Sequence, residues 1–202
     1  MNTTTRSAFD VSREFISDRL LQTSVHVPPI QESPDHAPAA VLVPLIERPE
    51  GLSVLLTLRT DTLRRHAGQV AFPGGRADPG ETPWQTALRE AEEEVGLHPA
   101  LVEVAGLSDL FWTRTGYLIT PVVGFVSPEL NVTPNPLEVA EVFEVPFTFL
   151  MDEANHLESE REFPDGVTRR VWSMPYEGRL IWGVTAMLIR DLRARLYGPA
   201  QD

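Results

Sequence analysis

The chain has 202 residues, 42% hydrophobic and 23% charged, the composition of one soluble globular domain or of one domain with an added arm. It has no cysteine, which excludes disulfides, thiolate metal sites and cysteine nucleophiles and suits a cytoplasmic protein. A formal net charge of −12 argues against nucleic acid as a partner. No run approaches the ~20 apolar residues of a membrane span, and "MNTTTRSAFDVSREF" lacks the basic start and apolar core of a signal peptide.

Residues 8–22 carry apolar side chains at helical spacing and predict an N-terminal helix. Residues 24–38 hold Pro28, Pro29, Pro34 and Pro38 and predict an extended connector. "AAVLVPLI" (39–46) and "SVLLTL" (53–58) predict two strands joined by a turn at Pro49 and Gly51. "QVAFPGG" (69–75) predicts a short strand running into a glycine turn, and 83–95 a helix. Strands are expected again over 101–111, 118–126 and 138–147, the last broken at Pro146. "LESEREF" and "TRRVWSMPY" flank Pro164-Asp165-Gly166 and predict a hairpin, and 183–197 an amphipathic helix. Mixed strands with few helices indicate an α+β chain in α/β/α layers. His26, His36, His98 and His156 are scattered without ligand spacing. Met151, Met174 and Met187 read as core gap fillers, and Trp112, Trp172 and Trp182 as core candidates.

The helix over 83–95 has well-marked ends. Thr82 is placed to be the N-cap, Pro83 the first helical residue, and Gln85 the third residue of a capping box; Gly96 supplies a left-handed stop. At ~100° per residue Trp84, Leu88, Ala91 and Val95 form the expected core stripe. Glu90, Glu93 and Glu94 cluster on the opposite side, with Glu92 to one flank. Glu90 and Glu94 repel at i,i+4, and the helix dipole disfavours anions at this end. No lysine or arginine is expected one turn away on that face. The simple reading is a solvated acidic face. The sharper one is a site for a hard divalent cation, Mg²⁺ or Mn²⁺, whose charge would cancel the repulsion. Upstream, Arg59, Arg64, Arg65 and His66 make a basic island, suited to a phosphorylated substrate that arrives with metal ions.

"FPGGRADPGETPWQTALREAEEEVGL" resembles the Nudix hydrolase signature, G-x5-E-x7-R-E-U-x-E-E-x-G-U with U apolar, from Gly75 through Glu81, Arg89, Glu90, Glu93, Glu94 and Gly96 to Leu97. The resemblance implies an α+β Nudix-type α/β/α sandwich with a mixed β-sheet, spanning 39–197 between an N-terminal helix and connector (1–38) and a tail (198–202). It also implies hydrolysis of a pyrophosphate with two or more Mg²⁺ or Mn²⁺ ions. By the family pattern Glu90 and Glu94 are the principal ligands, Glu93 assists, and a backbone carbonyl near Gly74 or Gly75 joins them. Glu81 and Arg89 orient the others or simply form a structural ion pair. An acid outside the box serves as base or extra ligand: Glu138, at the loop end of its strand, then Glu141. On a regular strand Glu138 and Glu144 share a face and Glu141 takes the other.

"LLTLRTDTLRRHAGQVAFPGG" (55–75) further resembles the motif L-L-T-x-R-[SA]-x3-R-x3-G-x3-F-P-G-G of the coenzyme A pyrophosphatase group, with Thr60 departing at the Ser/Ala position. "LIWGVTAMLIRDL" (180–192) resembles the group's closing helix. The implied substrate is coenzyme A or an acyl-CoA, cut to 3′,5′-ADP and 4′-phosphopantetheine or its acylated form. Arg59, Arg64, Arg65 and His66 would meet its phosphates. ADP-ribose or another nucleoside diphosphate derivative is the alternative substrate, and a non-catalytic nucleotide-binding module the alternative class. Related domains often pair, so a homodimer is an open expectation.

Overall fold

A computed structural model describes residues 9–22, 36–61, 67–163 and 166–198. In chain order the elements are α1 (Arg13–Arg19), β1 (Ala37–Arg48), β2 (Gly51–Arg59), β3 (Val70–Ala71), β4 (Gly74–Arg76), α2 (Pro83–Val95), β5 (Val102–Leu107), β6 (Phe111–Trp112) and β7 (Tyr117–Val126). They continue with β8 (Val139–Pro146), α3 (Phe147–Met151), β9 (Leu157–Glu162), β10 (Thr168–Tyr176), β11 (Arg179–Trp182) and α4 (Val184–Tyr197). Residues 23–35 lie outside the described residues, and with them most of the expected connector and His26.

The apolar run of β1 is buried on both faces, which is why it reads as continuous rather than alternating. Ala40, Leu42 and Ile46 point to one side, where they meet Leu55, Val122 and Val126 beneath Ala87, Ala91 and Val95 of α2. Val43 and Leu45 point to the other, with Val54, Leu56, Val123 and Phe125, beneath Ile16 of α1, Phe147 and Leu150 of α3, and Leu188, Ile189 and Leu192 of α4. This is an α/β/α sandwich on a mixed sheet. Strand β1 runs parallel to β7 along one edge. Its other edge is shared: the C-terminal end pairs with β2 and the N-terminal end with β4. Strand β2 pairs with β3 beyond that point, and with β8 along its far edge. The short β3–β4 stretch is thus a wedge between diverging strands. Gly74 and Gly75, expected in a turn, are strand residues opposite Val41 and Ala40. A Cβ on Gly74 would lie 2.4 Å from the Ala40 carbonyl oxygen, so the wedge needs a residue without a side chain.

Three departures from expectation have local causes. The helix expected over 8–22 is shorter, Arg13–Arg19, because Ser12 caps its start and Leu20 turns back to extended backbone. Ala140 is bulged out of the β2–β8 ladder, since Leu58 faces Glu141 while Arg59 faces Val139. Simple alternation across 138–144 therefore fails, and Val139 and Val142 pack on the same side. Trp112, expected in the core, is 55% exposed and meets the His36 ring edge-on. Trp172 and Trp182 are half-buried under Arg190 and Arg161. The second sheet, β9–β10–β11, includes a strand the pattern did not separate from the closing helix. Its β10–β11 turn places Glu177 and Gly178 at φ 46° and 78°. The β9–β10 hairpin forms as expected, although Pro164 and Asp165 lie outside the described residues. Among the described residues no helix is long and apolar enough to cross a membrane.

Candidate active site

Helix α2 forms where its end signals place it. Thr82 Oγ1 accepts from the Gln85 N–H, the Gln85 side chain accepts from the Thr82 N–H at 2.8 Å, and Gly96 closes the helix at φ 70°. Its inward stripe differs from the expected one. Ala87, Ala91 and Val95 are fully buried, Trp84 and Leu88 sit at the rim, and Glu94 is drawn inward with 2% exposure. Small alanines let the helix lie close to the sheet, and that approach takes Glu94 out of water. Glu90 is half-buried, while Glu92 and Glu93 face solvent.

The glycine wedge of β4 supports these carboxylates. The Gly74 N–H donates to Glu94 Oε2 at 3.2 Å. A Cβ on Gly75 would stand 2.5 Å from the Glu90 carboxyl carbon, so the wedge backbone and the helix side chain share the space a side chain would need. Arg59, at the end of β2, donates from Nη1 to Glu94 Oε1 at 3.1 Å. Burial pushes the Glu94 carboxyl up to about 7 against the pull of Arg59 and the Gly74 N–H, and the charges of Glu138 and Glu90 push it the same way. Burial likewise raises the Glu90 carboxyl, opposed by Arg89 and aided by Glu93 and Glu138.

Arg89 is the hub of the outer half. Its Nε and Nη2 donate to the two oxygens of Glu81 at 2.8 and 3.1 Å, its Nη1 donates to Glu90 at 2.8 Å and Glu93 at 3.2 Å, and Nη2 also reaches the Arg76 carbonyl. The expectation of no cation near the acidic face is thus corrected: a long guanidinium at i−4 from Glu93 spans the gap. Glu81 is fixed further by the Thr86 hydroxyl at 2.8 Å and the Asp78 N–H at 3.0 Å. Its hydrogen bonds with Arg89 hold its carboxyl down at about 2, and the same pairing raises Arg89 above its ordinary value. Thr86 and the Gly74 N–H were not expected. Neither type nor spacing marks them, because one is a full turn past the cap and the other is backbone.

Glu138 joins the group. It precedes β8, its Oε1 accepts from Asn135 at 3.4 Å, and its charge acts on both Glu90 and Glu94. Glu141 has a partner of its own: Arg179 grips both its oxygens and holds its carboxyl below the usual range. Glu144 is likewise gripped by Arg48. Arg64, Arg65 and His66 lie outside the described residues.

The donor set is all oxygen, anionic and mutually repulsive, which matches a hard divalent cation. Among the described residues no three acidic or histidine side chains are already gathered as a ligand cluster, since arginines hold Glu90, Glu93 and Glu94. Beside this group a groove of about 890 Å³ opens between Gly68 and Gln69 and the second sheet, lined also by Arg161, Phe163, Leu180 and Trp182. It does not touch the carboxylates. Backbone links it to them: the Arg59 N–H donates to the Gln69 carbonyl and the Gly68 N–H to the Arg59 carbonyl.

A family model described as NUDIX domain matches residues 36–171. An Escherichia coli protein named "Uncharacterized Nudix hydrolase NudL" is 43% identical over 170 residues, which cover 82% of this chain and 86% of that one. A protein of the same name from Photorhabdus laumondii is 44% identical over 174 residues, 85% of this chain and 91% of that one. The crystal structure of a NUDIX hydrolase from Nitrosomonas europaea aligns with a TM-score of 0.50 at 20% identity, over 83% of this chain and 77% of that one, a likeness of fold.

Proposed function

Because the chain belongs to the Nudix hydrolase family, and is thereby a pyrophosphohydrolase, we propose that its substrate is coenzyme A or an acyl-CoA, cleaved to 3′,5′-ADP and 4′-phosphopantetheine or its acylated form. Nudix enzymes generally use divalent metal ions; here Mg²⁺ or Mn²⁺ would be held by Glu90 and Glu94, with Glu93 at the solvent edge. Bound cations supply neutralisation of the diphosphate and a lowered pKa for water. Arg89 orients Glu90 and Glu93 while anchored on Glu81, which Thr86 and the Asp78 N–H hold in turn. Glu138 is the base that takes the proton of the attacking water: its charge acts on both Glu90 and Glu94, and among the described residues no arginine holds it. Glu141 is the weaker choice, since pairing with Arg179 lowers its basicity.

The observation that carries the substrate reading is the 55–75 segment. Its Arg59 reaches the carboxylate group, and its Gly68 and Gln69 form one wall of the adjoining groove. A pantetheine arm is long and only partly polar, and this groove pairs Phe163, Leu180 and Trp182 with Arg161 and Gln69. Incubation with coenzyme A and, in parallel, ADP-ribose, each with Mg²⁺ or Mn²⁺, followed by mass analysis of products, is the test. Faster release of 3′,5′-ADP and phosphopantetheine than of AMP is the expected result. Cleavage of ADP-ribose alone would overturn the substrate and leave the family untouched.

A further inference from the structure

Two arginines neutralise the buried acidic group, and they are bound very differently. Arg89 is tied to Glu81 through two parallel bonds, to Glu90, Glu93 and the Arg76 carbonyl. Arg59 reaches Glu94 through Nη1 at 3.1 Å, and its Nε is buried without a hydrogen-bond partner. A buried donor left unmade costs free energy, so the Arg59–Glu94 arrangement is a compromise. The backbone around it is not loose: its N–H and C=O are both bonded to the Gly68–Gln69 segment. Any movement of Arg59 is therefore movement of the side chain alone.

Arg59 Nη1 and the Gly74 N–H already engage both oxygens of Glu94, and a divalent cation on that carboxylate repels the nearby guanidinium; Arg59, held there by one bond, is the group free to leave, whereas Arg89 is anchored on Glu81 and stays beside Glu90. We propose that Arg59 is an exchangeable counter-ion: it neutralises Glu94 in the metal-free enzyme and passes to the diphosphate of the substrate when a divalent cation takes Glu94. Cation and substrate binding are thereby coupled through one side chain. The same residue serves two states, balancing the charge of Glu94 before loading and meeting the anion after it. This rests on Glu94 being a cation ligand.

The experiment measures Mn²⁺ binding to the chelator-stripped full chain, by the electron paramagnetic resonance signal of free Mn²⁺. Arg59→Gln should bind Mn²⁺ about tenfold more tightly than wild type, since no guanidinium competes, and should raise KM for coenzyme A more than it lowers kcat. Arg59→Gln binding Mn²⁺ equally or more weakly would overturn the proposal, because Arg59 would then support the site rather than compete for it. Glu94→Gln separates the two levels: if Mn²⁺ affinity survives that change, Glu94 is not a ligand and the underlying reading fails. Should Arg59→Gln fold poorly, the wild-type chain still decides. Its Arg59 Nε–H resonance, assigned by its absence in Arg59→Lys, should move on Mg²⁺ titration, and a resonance that stays in place sinks the exchange.

Discussion

Folding makes Glu94 a weaker acid. Its carboxyl rises from 4.5 to about 7, so the metal-free fold holds that proton more tightly than the unfolded chain does. The stabilisation is therefore present below pH 4.5 and is lost as pH rises through 7, by about 3 kcal/mol in all. Urea unfolding in a chelator should show wild type weakening between pH 5 and 8, with a shallower slope for Glu94→Gln in the same window; equal slopes would disprove the burial effect. Glu81 has the opposite sign: its stabilising pair is present above pH 4.5 and is lost as pH falls towards 2. At Glu90 the expected effect is on catalysis. Glu90→Gln keeps the shape, removes a charge, and should lower turnover by about a hundredfold or more with an unchanged melting temperature. Near-full activity would remove Glu90 from the cation site.

At the level of elements, α2 does two jobs with one set of residues. Ala87 and Ala91 bring it close to the sheet, and the capping box fixes where its first turn starts, hence where Glu90 and Glu94 fall against the glycine wedge. Thr82→Ala should cost about 1 kcal/mol, read as a shift of the urea midpoint, with little change in activity at saturating cation. The ends of α2 were legible because caps are local chemistry. The bulge at Ala140 was not legible, since it depends on the β2–β8 register rather than on residue type, and it breaks the simple alternation expected across 138–144.

Across the whole molecule, the layer opposite α2 draws on segments that the family match over 36–171 does not reach. Ile16 of α1 is fully buried among the residues beneath α4, Phe15 stacks on Tyr197, and Arg13 pairs with Glu47 and Glu103. Arg195 of α4 grips Asp109 next to β6. The helix at the N-terminus therefore packs on the body of its own chain. Ile16→Ala should cost about 3 kcal/mol by cavity formation, seen in urea unfolding, while kcat at permissive temperature stays near wild type because α1 lies on the far side of the sheet from Glu90.

The sequence by itself determined the boundaries of α2 and α4, the apolar strands and the signature carboxylates, because capping, periodicity and fixed spacing are properties of neighbours along the chain. Only the tertiary structure decided which carboxylate is buried, that Arg59 reaches Glu94, and that Glu141 is held by Arg179. Trp112 went the same way, outward to His36. The physical reason is common to all four: burial and ion pairing are set by which strands diverge and which residue is bulged, and those depend on contacts between residues far apart in the chain.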